Sequence, residues 1–138
     1  MGTIKKINHA EITVKDLDES IAFYEKLGLR FLSKVHVERV ETDSPLLKDI
    51  EMETAFLEAP GGGVVELIRF PNRVTEASKA MPWNMGQEHI AFEVSDLSGM
   101  YETLKSEEGV EFLSAPIHFK TDKEDSTWLF LRDPNGAL

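Results

Sequence analysis

Apolar and polar residues alternate from Ile7 to Val14, with Ala10, Ile12 and Val14 on one side and His9, Glu11 and Thr13 on the other. A period of two marks a strand with one face turned to a core. After Asp16 the period becomes helical, and Leu17, Ile21, Tyr24 and Leu27 form an apolar stripe. Asp16 with Glu19 three residues on reads as a capping box, and Gly28 stands where a left-handed C-terminal cap belongs. Strands are expected over 29–40, 51–58 and 64–70. The last two form a hairpin through Pro60-Gly61-Gly62-Gly63.

The pattern then repeats. His9 falls on His89, Asp16-Leu17 on Asp96-Leu97, Gly28 on Gly109 and Phe31-Leu32-Ser33 on Phe112-Leu113-Ser114. Further along, Phe56-Leu57 falls on Phe130-Leu131 and Pro60 on Pro134. The second copy predicts a strand over 88–95, a helix over 97–106, strands over 110–113 and 128–132, and a turn at Asp133-Pro134-Asn135-Gly136. A duplication of this size implies two facing βαβββ modules in one α+β domain. Module one spans 4–70, a polar linker 71–87 with a helical turn around Thr75–Lys79, and module two 88–138. The two sheets are expected to form a half-open, pseudo-symmetric β-barrel with the helices outside. The last strand of module two is absent: the equivalent of Glu66 falls at position 140, past Leu138.

Strand parity directs attention to chemistry. His9, Glu11 and Thr13 share one face, as do His89, Ala91 and Glu93 in the second copy, and both faces are too polar for a helix-covered core. Glu66 shares its strand face with Val64 and Ile68, and a carboxylate among apolar neighbours needs a partner. Glu11 and Glu93 read equally as neighbours of a site or as a solvated face. His36 and His118 have no equivalents in the other copy and read as surface residues. Trp83 and Met85 read as linker residues packed on the sheet, with an apolar lid as the alternative. Gly61–Gly63 is a hairpin turn, because no strand-to-helix context supports a phosphate loop.

A net charge of −10 excludes the basic face that nucleic acid or an anionic membrane requires. With no cysteine there is no disulfide and no thiolate chemistry, which suits a cytoplasmic protein. No apolar run is long enough to span a bilayer.

The ordered segments INHAEITVKDLDESIAFYEKLGL, VVELI, GQEHIAFEVSDL and FLRDPNG resemble the vicinal oxygen chelate superfamily of glyoxalases, bleomycin resistance proteins and extradiol dioxygenases. The resemblance is strongest to glyoxalase I-type members. It implies metal ligands at His9, Glu66 and His89, a fourth at position 140, and Glu66 as ligand and acid/base. It also implies a homodimer and a small-molecule substrate. Such a nitrogen and oxygen donor set suits one divalent transition metal: Zn, Ni, Co, Fe or Mn. The function implied is a metal-dependent lyase or isomerase that removes a proton next to a carbonyl and stabilises the resulting enediolate. The alternatives are a non-enzymatic drug-binding protein and an Fe-dependent extradiol-type dioxygenase. A fourth ligand would come from further chain or from a partner subunit. Arg39, Arg69, Arg73 and Lys120 are candidate anchors for an anionic substrate.

Overall fold

The computed structural model describes residues 2–40, 42, 44–73, 75–77, 81–86 and 89–138. The chain divides into two compact units, Met1–Ala77 and Ser78–Leu138. The fold is α+β, with helices and sheets in both units.

The first unit holds β1 (Ala10–Thr13), α1 (Leu17–Lys26), β2 (Arg30–Val37), β3 (Met52–Glu58) and β4 (Val64–Arg69). Its four strands lie in the order β1-β4-β3-β2. Strand β1 runs parallel to β4, whereas β3 is antiparallel to both β2 and β4. The sheet therefore stays open, with β1 and β2 as its edges. Helix α1 packs against β2, β3 and β4. It closes a core in which Val14, Ala55, Leu57 and Leu67 are wholly buried, joined by Leu17, Phe23, Tyr24, Leu29 and Val65.

Both ends of α1 follow from local chemistry. The Asp16 carboxylate accepts from Glu19 N at 2.9 Å, satisfying an amide that has no partner inside the helix. At the other end Leu29 N donates to Tyr24 O and Gly28 N to Glu25 O, the paired bonds of a Schellman motif. Gly28 has φ 101°, a conformation that costs an L-residue about 1–2 kcal/mol. An added Cβ would touch nothing within 4 Å, so the cost of substitution is conformational rather than steric. Gly28→Ala is accordingly expected to lower stability by about 1–2 kcal/mol in urea denaturation. An unchanged midpoint would mean that the cap relaxes without loss.

The buried stripe of α1 differs from the expected one. Leu17, Ser20, Phe23 and Tyr24 face the sheet, while Ile21 and Leu27 are only partly covered. Ser20 can occupy the stripe because its hydroxyl donates to Asp16 O at 2.7 Å, which removes the cost of burying it. Hydropathy alone passes over such a residue.

The second unit holds α2 (Leu97–Leu104), β5 (Glu111–Phe112), β6 (Ile117–Lys120), β7 (Asp125–Trp128) and β8 (Leu131–Arg132). Asp96 caps α2 as Asp16 caps α1, accepting from Gly99 N at 2.8 Å. Here β5 pairs with β8 and β6 with β7, both antiparallel. The β6–β7 hairpin lies, apart from Trp128, between the two strands expected from the sequence, where no element is assigned. Its turn is held by the Thr121 hydroxyl, which accepts from Lys123 N and Glu124 N. The Asp133 turn forms as expected, with its carboxylate accepting from Asn135 N and Ala137 N at 2.8 Å each.

The expected strand over 88–95 does not form across residues 89–95, and Gln87 and Glu88 lie outside the described residues. A strand exists through its ladder. In the first unit Ala10 is registered with Val65, and Val14 N donates to Ile68 O at 2.8 Å. In the second unit Ile90 N donates to Leu138 O at 3.3 Å. Trp83 and Met85 also depart from expectation, being 75% and 102% exposed rather than packed on a sheet. Residues 75–77 carry no helix, and the rest of the helical turn expected there lies outside the described residues. Among the described residues, no helix is long and apolar enough to cross a membrane.

Candidate metal centre

The candidate centre in the first unit rests on two neighbouring strands. Glu66 sits in the middle of β4, an interior strand, with Glu11 of β1 as its register partner on one side and Phe56 of β3 on the other. Partners in register point to the same face, so Glu11 and Glu66 lie side by side. His9 precedes β1 by one residue and falls on that same face by parity. Its Nε2 lies 3.2 Å from Glu66 Oε2, with the Glu66 side chain only 13% exposed and that of His9 37%.

The donor atoms of His9, Glu11 and Glu66 all lie within 4.8 Å of one another. In sequence Glu11 reads equally as a neighbour of a site or as part of a solvated face. Parity places it on the polar face, but the β1–β4 register is what brings it beside Glu66.

The close approach of His9 and Glu66 is met by a proton or by a cation between them. His9 Nδ1 lies 2.8 Å from Asn8 Oδ1 and is placed to donate to it. A neutral ring holding its proton on Nδ1 turns the Nε2 lone pair toward the Glu66 carboxylate. Two such acceptors 3.2 Å apart need a proton or a metal ion between them. The separation also matches two ligands of one ion with bonds of about 2.0–2.2 Å. An imidazole with two carboxylates therefore suits a divalent transition metal in chemistry, and His9 with Glu66 suits one in spacing.

Burial pushes the Glu66 carboxyl above the usual carboxylate range, with His9 pulling it down and Glu11 pushing it further up. A carboxyl whose folded-state pKa is raised binds its proton more tightly when folded. The metal-free protein therefore loses stability as pH rises from the ordinary carboxylate value through the raised one. Urea midpoints of the metal-free protein are expected to carry this fall, and Glu66→Gln is expected to remove it. A fall of equal size in both proteins would place its origin elsewhere.

His89 belongs to the second unit, where its ring meets Phe130 edge-on at 5.6 Å, and Phe130 in turn meets Trp128 at 5.6 Å. Ala91 and Glu93 are exposed beside it in sequence. His36 and His118 are exposed, as expected, and contact Glu51 and Asp125. Three of the candidate anchors for an anionic substrate are engaged by carboxylates: Arg39 by Asp49, Arg69 by Glu53 and Lys120 by Asp125. Arg73 donates to the Asn72 carbonyl.

Comparison with solved structures finds the same fold. A glyoxalase family protein from Bacillus cereus superposes with TM-score 0.83 at 25% identity, covering 99% of this chain and 91% of its own. The V278E mutant of Zea mays glyoxalase I matches at TM-score 0.67 and 27% identity, over 94% of this chain and 41% of the maize chain. The trypanothione-dependent glyoxalase I of Leishmania major matches at TM-score 0.61 and 25% identity, over 97% of this chain and 83% of its own. No curated protein matches the sequence significantly. The sequence model of one family covers residues 6–138, and on that match the chain belongs to the Glyoxalase/Bleomycin resistance protein/Dioxygenase superfamily.

Proposed function

We propose that this protein is a metal-dependent lyase or isomerase of the glyoxalase I type, acting on a small molecule with a proton next to a carbonyl. The observation that carries the reading is the approach of His9 Nε2 to Glu66 Oε2, 3.2 Å, on one sheet face. The likeness to the maize and Leishmania major glyoxalases I supports it. In this reading His9, Glu66 and His89 hold one divalent ion, drawn from Zn, Ni, Co, Fe or Mn. Bound there, such an ion supplies Lewis acidity toward two neighbouring substrate oxygens, worth several kcal/mol.

The remaining work belongs to side chains of this protein. Asn8 orients the His9 ring through Nδ1. Glu66, with its raised proton affinity, takes a proton from the carbon beside a carbonyl and returns it to the neighbouring carbon. That exchange is an isomerisation, so it needs neither oxidant nor reductant. A homodimer in the cytoplasm completes the reading. The open edges at β1 and β2 favour association, and the absence of cysteine suits a reducing compartment.

The test is turnover of the hemithioacetal of glutathione and methylglyoxal by protein loaded with each metal in turn, followed as thioester formation. Metal-dependent turnover, reduced by about 10²-fold or more in Glu66→Gln, is the expected result. No thioester with any metal, together with oxygen uptake on a catechol, would replace this reading with the dioxygenase one. Ligand binding without chemical change would replace it with the drug-binding one.

A further inference from the structure

The sheet face that carries Glu66 changes character across that strand. On the β1 side stand His9, Glu11 and Thr13. On the β3 side the register partner of Glu66 is Phe56, and the partner of Phe56 on β2 is Ser33. Residues directly opposite on neighbouring strands have Cβ atoms about 4.5–5.5 Å apart, so the Phe56 side chain rises directly beside the Glu66 carboxylate.

Exposure decides which apolar surface a substrate can reach. Thr54 and Ile68, the next residues along this face, are 5% and 4% exposed and already covered. Phe56 is half-buried. Charge narrows the choice further. Among the described strand residues of this face, Arg30 alone carries a fixed positive charge, and the Glu58 carboxylate holds it at 2.6 Å. An anionic substituent beside Glu66 would meet the Glu11 and Glu66 carboxylates and no free cation. An apolar one exchanges water for the Phe56 ring.

The second copy gives an independent sign of where this position points. Phe130 is the equivalent of Phe56, and it stands edge-on to the His89 ring at 5.6 Å. There the ring turns toward the repeated histidine, as register turns Phe56 toward the face of His9 and Glu66.

We infer that Phe56 determines substrate specificity at this site, and that the substrate carries an uncharged aryl group on its carbonyl carbon. The inference rests on the metal-dependent reading above and names its substrate class.

Two hydroxamates test it by calorimetry on the full chain loaded with Zn²⁺. Acetohydroxamate and benzohydroxamate each offer two neighbouring oxygens to a metal, undergo no isomerisation, and differ only in methyl against phenyl. Wild type is expected to bind benzohydroxamate at least about 10-fold more tightly. Phe56→Ala is expected to bring the two affinities within about 3-fold by weakening benzohydroxamate alone, and Phe56→Leu, apolar but without the ring, to lie between. In turnover, Phe56→Ala is expected to raise KM for the glutathione hemithioacetal of phenylglyoxal with kcat unchanged, and to leave that of methylglyoxal as it was. Equal affinities in wild type, or a phenyl preference that survives in Phe56→Ala, overturns the inference while leaving a metal enzyme in place. Failure of Zn²⁺-loaded wild type to bind either hydroxamate overturns the metal reading itself. Thermal unfolding and Zn²⁺ content of each variant separate lost contact from lost folding, and where Phe56→Ala does not fold, the Phe56→Leu comparison decides.

Discussion

Glu66→Gln is expected to bind Zn²⁺ at least about 100-fold more weakly than wild type by calorimetry, while folding no less well without metal. The two halves of this result share one cause. Glu66 is flanked on both sides by strands, so its carboxylate is held largely away from water beside His9 and in register with Glu11. Without an ion that placement is unfavourable, which is why burial raises its proton affinity. With an ion it is a donor already positioned. Gln keeps the size and shape but removes the charge, so it relieves the cost and forfeits the ligation. The outcome also separates this residue from one that merely supports the fold, whose replacement would lower stability and metal affinity together. Undiminished Zn²⁺ affinity would remove Glu66 from the centre.

Leu67→Ala is expected to lower stability by about 3–5 kcal/mol, read as a shift in urea midpoint with unchanged slope. Leu67 follows Glu66 on β4 but points to the opposite face, where it is wholly buried with Leu57 and Val14 beneath α1. Removing three carbons there leaves a cavity that a sheet pinned by ladders on both sides cannot collapse to fill. A typical domain has only about 5–15 kcal/mol to lose, so this one change takes a large share. The control is Val35→Ala on β2, an edge position 46% exposed, expected to stay within about 0.5 kcal/mol. Equal losses at the two positions would mean that the core of this unit does not lie where β3, β4 and α1 meet. The Leu67 variant should also bind metal more weakly, because the strand that carries Glu66 is positioned by this packing.

Much of this was written in local sequence. The alternation of Ile7 to Val14, the Asp16 cap, the left-handed Gly28 and the glycine turn between β3 and β4 each depend on residues within a few positions of one another. The duplication extended that reading to α2 and to the Asp133 turn. His9 and Glu66 stand out in the sequence because a histidine recurs and a carboxylate sits among apolar neighbours.

Other features depended on partners distant in the chain. Residues 89–95 have the alternation of a strand, yet alternation supplies no ladder, and they form no strand. Ser20 entered the buried face of α1 because a hydrogen bond to Asp16 O offset its polarity. The β6–β7 hairpin formed around a Thr121 turn that no glycine announces.

The sequence by itself determined the α+β class, the caps, the turns and the family, because those rest on periodicity and short-range bonding. The tertiary structure alone decided that Glu11 stands beside Glu66 and His9. That proximity comes from the parallel register of two strands more than fifty residues apart, and register is set by how the two strands pack into one core.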